Sequence, residues 1–393
     1  MTVADVVPVD GLCDERFLRV REAFGEVFSG GNEVGAALAV CIGGSPVIDL
    51  WGGFADGART RPWRADTIVN LYSIGKALTA LCVLRTVEAG LVELEQPVAR
   101  YWPDFAQAGK EAMPVRMLLT HEAGLPAVAR PLPSRTGLNW PAMSEALAQQ
   151  APWWAPGTAH GYHTNTQGYL AGEVVRRVTG KSIGTYFREE IAGPGGIDFH
   201  FGFGPELDER CAEVLPSKPL PGAPPPAPIK PLSKLAGDEL MKAAAGRNPQ
   251  ELSGQGIVNS REWRAAEVPS TNGHGNARAV ARLYGALATD GAIDGYRVLG
   301  NATRDRAITE QVYGVDRVLG RPTRFGIGFQ LTQVERRLGP GERTFGHFGA
   351  GGSLGFADPD AGISFGYAMN QGRAGWQHAH IRKLIDVLYE CVT

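Results

Sequence analysis

The spacing of apolar and polar positions in the first quarter of the chain predicts a helix, a strand pair and a second helix. Residues 14–29 have the period of an amphipathic helix. The runs 35–42 and 47–54 are apolar and are joined by a Gly-Gly-Ser-Pro turn, which favours a β-hairpin. The run that starts at Ser73 is apolar on most sides, which is typical of a central, buried helix, and Gly90 is a natural end for it.

The rest of the chain is helical at first and returns to strands near the C-terminus. Helical spacing dominates from 114 to 190 and recurs over 276–290, and a closing helix is predicted over 373–389. Three short runs resemble strands separated by glycine-containing turns: 344–347, 355–357 and 362–369. Because strands lie toward both ends and helices lie between them, we predict an α/β (α+β) fold in which both termini build one sheet around an inserted helical region.

Residues 216–231 carry eight of the 27 prolines in the sequence. Neither a helix nor a central strand tolerates that density. We therefore predict an extended surface loop that acts as a connector, with a flap over the active site as the alternative.

The bulk composition bounds the partners that the chain can have. At 393 residues the chain exceeds the usual size of one domain, so two domains or one large composite domain are expected. The formal charge of −2 gives no electrostatic reason to expect nucleic acid or an anionic membrane as a partner. A small-molecule substrate is therefore the expected partner, and the oligomeric state is left open.

Cysteine usage and the N-terminus favour a cytoplasmic protein. The five cysteines are scattered and form no C-x-x-C motif, which predicts idle thiols in a reducing compartment. They are Cys13, Cys41, Cys82, Cys211 and Cys391. Residues 1–7 lack the basic start and long apolar core of a secretory signal. A membrane span is not expected either, because Arg85 and Glu88 interrupt the most apolar helix.

The motif Ser73-x-x-Lys76 is the main candidate for chemistry. A serine hydroxyl needs a base within hydrogen-bond reach, and residues three apart on a helix share a face. At a helix N-terminus the Ser73 backbone N–H points outward, and the helix dipole disfavours a positive charge on Lys76. The pattern therefore predicts a serine nucleophile with a neutral lysine as its base.

Two further segments supply groups that acyl chemistry needs. In the segment 161–165, a Tyr162 phenol beside a lysine ammonium is stabilised as phenolate, which suits a general base and then acid. In the glycine-rich segment 346–352, the Ala350 N–H is a candidate second oxyanion donor beside that of Ser73. His347 is a candidate contact for the substrate or leaving group, or a strand-end histidine whose ring is satisfied by backbone.

Taken in order, these motifs resemble the three boxes of the serine β-lactamase and penicillin-binding-protein superfamily. The branch that they resemble is that of the class C β-lactamase-like esterases, the family VIII carboxylesterases. Three flanking segments also fit that pattern: 117–125, 156–158 and 346–359. The resemblance extends from about residue 15 to about residue 390.

The resemblance implies a fold, a site and a reaction. It implies an α/β domain with an antiparallel sheet, here 1–72 and 275–393, packed against a mostly helical domain, here 73–274. The active site would lie between them. Ser73 would attack an acyl carbonyl, Lys76 and Tyr162 would move the proton, and water would release the acyl-enzyme. No cofactor and no metal are implied.

The departures from the family pattern concern the substrate. The second box usually reads Tyr-x-Asn, whereas Thr164 stands at the third position here, with Asn165 next to it. The third box usually reads Lys-Thr-Gly, whereas His347, Phe348 and Gly349 offer at most one weak cation and an apolar ring. A carboxylate on the substrate would therefore lack the lysine and threonine partners that the usual third box provides. We therefore expect short-chain or small neutral esters as substrates, with weak β-lactam turnover possible.

Aromatic residues near the boxes are candidates for the wall of an apolar pocket. They are Tyr72, Trp153, Trp154 and Phe348. Ordinary core packing is the alternative for each of them.

A second serine motif competes with the first. Residues 351–355 match G-x-S-x-G, and Asp358 or Asp360 and His378 follow Ser353 in the required order. A nucleophile elbow must be a strand, a sharp turn and then a helix, whereas Ser353 is followed by a strand-like run. A turn serine is therefore the better interpretation.

Other functions on the same core stay open. A transacylase would pass the acyl group to an alcohol or amine instead of to water, and an amidase or peptidase would take the acyl group from an amide. A non-catalytic homologue would only bind a ligand. The presence of every group that acyl chemistry needs favours the enzyme.

Overall fold

The structure is a computed structural model. The described residues are 7–29, 31, 33–219, 222, 224, 228–375 and 378–392. The helices are α1 Leu18–Ser29, α2 Ile74–Glu88, α3 Arg116–Leu119, α4 Trp140–Gln149, α5 Thr166–Thr179, α6 Ile183–Phe187, α7 Gly193–Gly195, α8 Gly237–Arg247, α9 Arg261–Ala265, α10 Ala277–Ala288, α11 Asn301–Ala307 and α12 Ala379–Val392. The strands are β1 Val9–Cys13, β2 Gly35–Ile42, β3 Ser45–Gly53, β4 Val69–Asn70, β5 Phe199–His200, β6 Leu215–Lys218, β7 His274–Gly275, β8 Ala292–Ile293, β9 Tyr296–Arg297, β10 Val312–Val315, β11 Pro322–Phe325, β12 Gln330–Leu331, β13 Phe345–Phe348, β14 Leu354–Asp358, β15 Ile363–Met369 and β16 Gln371–Arg373.

Both ends of the chain build the main sheet. Within the described residues it has nine antiparallel strands in the order β1-β3-β2-β15-β14-β13-β12-β11-β10. The junction between the two ends is the pairing of β15 with β2, which runs from Ile363 opposite Ile42 to Met369 opposite Ala36. The predicted architecture, one sheet from both termini with helices around it, is confirmed.

Alternating side chains of the central strands enter two separate cores, because successive residues of a strand point to opposite faces. One face of β2 packs with α1 and α12, and it presents Ala36, Leu38 and Val40. The other face belongs to the larger core, which includes α2 and α10, and it presents Ala37, Ala39 and Cys41. The helix α2 also contacts α5 and β13, so its N-terminus lies where the sheet meets the helical region.

Most of the elements predicted from periodicity are present, but the last helix begins later in the sequence than predicted. The hairpin 35–54 is formed by β2 and β3. The helix α2 ends at Glu88, next to the predicted end at Gly90. The closing helix begins at Ala379 instead of at 373, because 371–373 pair with β6 as strand β16. The boundaries predicted between the two domains stay a prediction.

The proline-rich segment is only partly a loop. Its first residues, 216–218, belong to strand β6, which lies parallel to β16. Residues 220–221, 223 and 225–227 of the predicted loop lie outside the described residues. The choice between connector and flap stays open for the segment.

Candidate active site

Ser73 lies where the chain turns from β4 into α2. Its backbone is helical, with φ −69° and ψ −4°, and its side chain makes no capping hydrogen bond to the helix. The preceding Tyr72 has a φ of +51°, a left-handed conformation that aromatic residues rarely adopt. The strained turn places a half-buried serine hydroxyl at the N-terminal end of a buried helix.

The Lys76 side chain is buried and holds its amine against Ser73. Only 1% of Lys76 is exposed. Its Nζ lies 3.0 Å from Ser73 Oγ and donates to the carbonyl oxygen of Ser270 over 2.9 Å. Burial lowers the pKa of Lys76 well below its ordinary value. The amine is therefore available in the neutral form, which can accept the proton of Ser73.

Tyr162 completes the cluster around Ser73. Its hydroxyl is hydrogen-bonded to Ser73, and Lys76 Nζ lies 4.8 Å from the centre of its ring. Burial raises the pKa of Tyr162, and the hydrogen bond to Ser73 and the charge of Arg336 oppose this rise only in part. The site therefore favours a neutral phenol beside a neutral amine. The neutral amine agrees with the prediction from the Ser73-x-x-Lys76 motif, whereas the phenolate considered for Tyr162 is disfavoured.

Tyr162 is held from its backbone side by a carboxylate that the sequence motifs did not single out. Asp316 Oδ1 accepts the backbone N–H of Tyr162 over 3.0 Å. The same oxygen accepts the N–H groups of Val318 and Leu319, and Oδ2 accepts the Thr323 hydroxyl. Asp316 is fully buried, so this network fixes the position of the tyrosine.

The turn from Gly349 to Gly352 brings a second backbone N–H to the site. Ala350, within this turn, lines the same pocket as Ser73. Among the described residues, no acceptor is hydrogen-bonded to the backbone N–H of Ser73 or of Ala350. Two such N–H groups beside one pocket are what an oxyanion hole requires.

Ser353 lies behind that turn and supports it. It is buried, and its Oγ donates to the carbonyl oxygen of Leu71 over 3.1 Å. Strand β14 follows it, not a helix, so the G-x-S-x-G match lacks the geometry of a nucleophile elbow. The hydroxyl ties the turn to the segment that precedes Ser73.

We expect Gly349→Ala to destabilise the protein and to reduce its activity, because a Cβ at this position has no space. It would lie 1.9 Å from Ser353 Oγ and 2.4 Å from the Leu71 carbonyl oxygen. The expected loss is about 2 kcal/mol or more in the free energy of unfolding, measured by urea denaturation. Gly246→Ala is the control: this site in α8 has no atom within 4 Å of an added Cβ, and alanine favours a helix. Wild-type stability in Gly349→Ala would contradict the packing described.

Three of the residues predicted to contact the substrate lie on the wall of the pocket in front of Ser73. They are Thr164, Phe348 and Gly349. The pocket has a volume of about 190 Å³, which suits a small acyl or alcohol group. Tyr72 lines a neighbouring pocket of about 150 Å³ that shares Ala350 with the first.

His347 and Trp154 are not on the wall of the pocket. His347 precedes Phe348 on β13 and points to the opposite face of the sheet, because strand side chains alternate. Its ring is 1% exposed, Nδ1 is hydrogen-bonded to the backbone of Phe348, and burial lowers its pKa to about 3. Trp154 is buried too, and its indole N–H donates to the carbonyl oxygen of Ala159 over 2.9 Å.

Asn165 has a structural role. It is fully buried and donates to the carbonyl oxygen of Ala245 over 2.7 Å and to the Ser253 hydroxyl over 2.9 Å. Its neighbour Thr164 therefore faces the pocket in its place.

Arginine residues that no motif indicated also line the pocket. They are Arg321, Arg336 and Arg382. All three lie outside the third box, whose own residues His347, Phe348 and Gly349 offer at most one weak cation. The three arginines come from the segment before β11, the segment between β12 and β13, and helix α12, so nothing in their sequence spacing brings them together.

The described part of the chain has neither a cluster of metal ligands nor a helix that could span a membrane. No group of three or more histidine, cysteine or acidic side chains there is arranged to hold a metal ion. His380 is hydrogen-bonded to the buried Glu33 over 3.0 Å. No helix in the described ranges is long and apolar enough to cross a membrane.

Comparison with known proteins gives one consistent family. The family model described as "Beta-lactamase" matches residues 20–389. The esterase/beta-lactamase LipL of Mycobacterium tuberculosis is 36% identical over 381 residues, which are 92% of this chain and 83% of that protein.

Two solved structures are similar over almost the whole chain. A family VIII carboxylesterase has a TM-score of 0.89 and 39% identity, and the match covers 98% of this chain and 100% of that one. A penicillin-binding-protein homologue from Caulobacter crescentus has a TM-score of 0.88 and 38% identity, with the same coverage. These proteins therefore share both the sheet that is built from the two ends of the chain and the helices around it.

Proposed function

The chain belongs to the beta-lactamase family, and from this premise we propose that it is a serine carboxylesterase in which Ser73 attacks a small ester. The observation that carries the proposal is the 3.0 Å separation of Lys76 Nζ from Ser73 Oγ in a site that keeps the amine neutral. The similarity to LipL and to a family VIII carboxylesterase supports the choice of esters as substrates. A cytoplasmic location stays a prediction.

Acylation begins with proton transfer inside the cluster. The neutral Lys76 amine takes the proton of Ser73 as Oγ bonds to the carbonyl carbon of the ester. The N–H groups of Ser73 and Ala350 stabilise the oxyanion that forms on the carbonyl oxygen. Because Lys76 is already neutral in the folded protein, it can accept a proton as soon as the substrate binds.

The leaving alkoxide takes a proton from Tyr162, and the Lys76 ammonium returns one to the phenol. A protonated phenol suits this role, and burial keeps Tyr162 protonated. Water then attacks the acyl group on Ser73 with the same cluster as base. The carboxylic acid leaves, and Ser73 recovers its proton.

We expect kcat/KM for a neutral ester to rise as the pH rises through the pKa of Lys76 and then to stay level. The deprotonated amine is the active form, and burial lowers its pKa, so the acidic limb should lie well below the ordinary lysine value of 10.5. The level region should extend into alkaline pH, because burial raises the pKa of Tyr162. The pKa values of His163 and His347, both about 3, keep these rings neutral throughout. A pH–rate profile with p-nitrophenyl butyrate measures this, and an acidic limb near 10 would contradict the neutral base.

A mass measurement tests the covalent step directly. After the protein is mixed with p-nitrophenyl butyrate and quenched in acid, the peptide that contains Ser73 should carry one butyryl group. The peptide that contains Ser353 should carry none. A butyryl group on Ser353, or rapid turnover with no acylated peptide in repeated rapid-quench samples, would count against the proposal. Adding an alcohol or amine acceptor to the same reaction shows how far the acyl group is transferred instead of hydrolysed.

A further inference from the structure

Tyr162 lies in a short segment whose consecutive backbone N–H groups are bound by residues from other parts of the chain. Asp316 accepts the N–H of Tyr162 itself. The flanking N–H groups both donate to His121: that of Gly161 to the carbonyl oxygen over 3.0 Å, and that of His163 to Nδ1 over 3.1 Å. One histidine therefore holds the backbone on both sides of the phenol.

The imidazole of His121 also packs on the phenol ring of Tyr162. The two ring centres are 4.9 Å apart, and the ring planes are inclined by 57°. Phe325 completes the group, because its ring centre lies 4.6 Å from that of His121 and 6.1 Å from that of Tyr162. His121 is only 2% exposed, so the close packing leaves its ring little space to move. The residue that holds the tyrosine backbone thus confines its side chain as well.

The hydrogen bond to Nδ1 requires a neutral His121 ring. An imidazole nitrogen accepts a hydrogen bond only when it carries no proton, so Nδ1 is unprotonated and Nε2 carries the hydrogen. Burial lowers the pKa of His121 well below its ordinary value, and the neighbouring His163 adds to this shift. The acceptor for the His163 N–H is therefore present at neutral pH.

The segment that carries His121 is tied to the tyrosine segment in the reverse direction too. Nε2 of His163 accepts the backbone N–H of Leu125 over 2.9 Å. The backbone of His121 has a φ of +65°, a left-handed conformation that few non-glycine residues adopt, asparagine and histidine among them. Such conformations persist where the surrounding contacts hold them, and they are concentrated at functional sites.

We propose that His121 is a positioning residue, whose Nδ1 fixes the segment 161–163 so that the Tyr162 phenol can protonate the leaving alkoxide. This inference rests on the proposed esterase function and adds a residue to the step that breaks the ester bond. In that step the bond between the carbonyl carbon and the alkoxide oxygen breaks, and its electron pair stays on the oxygen. The phenol proton goes to that oxygen, and the Lys76 ammonium returns a proton to the phenolate.

Two esters with the same acyl group and different leaving groups test the proposal. The alkoxide of ethyl butyrate needs a proton to leave, whereas p-nitrophenolate is a weak base and leaves without one. The quantity to measure is the ratio of kcat/KM for p-nitrophenyl butyrate to that for ethyl butyrate. Both values come from one preparation, so a loss of folded protein cancels in the ratio. Tyr162→Phe is the reference variant and should raise the ratio by about a hundredfold.

Substitutions of His121 separate its acceptor from its ring. His121→Phe keeps an aromatic ring but no acceptor, and it should raise the ratio by about tenfold; His121→Leu, a second variant without the acceptor, should act in the same direction. His121→Asn offers a side-chain oxygen in place of Nδ1 and tolerates the left-handed backbone, so its ratio should stay within about threefold of wild type. His274→Leu is the control: this histidine is also buried, but its ring packs on Phe203, so the ratio should not change.

The outcomes distinguish the role of His121 from the proposed function. A wild-type ratio in His121→Phe and His121→Leu, with a raised ratio in Tyr162→Phe, would overturn the positioning role and leave the esterase proposal in place. An equal rise in His121→Asn and His121→Phe would overturn it as well, because only asparagine supplies an acceptor. An unchanged ratio in Tyr162→Phe, or no reaction of wild type with either ester, would instead overturn the proposed proton transfer, and the inference with it.

Discussion

Replacing Ser73 with alanine is expected to lower kcat/KM for p-nitrophenyl butyrate by about a thousandfold or more. The hydroxyl lies 3.0 Å from the Lys76 amine and is hydrogen-bonded to Tyr162, so the two proposed proton carriers both contact it. Alanine removes the proposed nucleophile and leaves the rest of the site in place. The free energy of unfolding should change little, because Ser73 makes no capping bond and is only half-buried.

Ser353→Ala is the matched control, because it removes the serine of the competing motif. That hydroxyl is buried and donates to the Leu71 carbonyl, so its loss should loosen the turn that carries Ala350. We expect a fall in activity of about tenfold at most, with a measurable loss of stability. If Ser353→Ala were inactive and Ser73→Ala active, with both proteins folded, the nucleophile described here would be wrong.

The parts of the site that the sequence predicted are those set by local geometry. Ser73 and Lys76 meet because they are three residues apart at the start of one helix, and α2 has that form. Tyr162 and Ala350 lie more than 80 residues from Ser73 in sequence, so no periodicity relates them to it. Their chemistry makes them candidates, and the order of the boxes in the family that the chain resembles supports the choice. The structure brings both together with Ser73 on the wall of one pocket.

The parts that failed depend on side-chain direction and on distant pairing. His347 and Phe348 are adjacent, and only the strand they belong to decides which of them faces the pocket. Arg336 reaches the pocket by stacking on Phe348, a contact between β13 and the segment before it. Nothing in the residues around Arg336 distinguishes it from an exposed surface arginine. The arginines on the wall of the pocket were therefore not accessible from the motifs.

Lys76→Met is expected to abolish most of the activity without a large loss of stability. Methionine fits a buried, unbranched site but has no amine, so kcat/KM for a neutral ester should fall by about a thousandfold. A buried lysine held neutral contributes little to stability, and the substitution leaves the carbonyl oxygen of Ser270 and the half-buried Ser73 hydroxyl without this partner. We expect the free energy of unfolding to stay within about 2 kcal/mol of wild type.

Lys110→Met is the control, because the chain has a second buried lysine outside the pocket. Lys110 is 0% exposed, and its Nζ donates to three carbonyl oxygens, those of Gln107, Ala148 and Gln150. Its replacement should destabilise the protein more than Lys76→Met does, because three acceptors lose their donor, and it should leave kcat/KM unchanged while the protein is folded. The two substitutions thus separate the role of an amine in catalysis from its role in structure. Full activity in Lys76→Met, measured at the pH optimum of wild type, would show that another group takes the proton of Ser73.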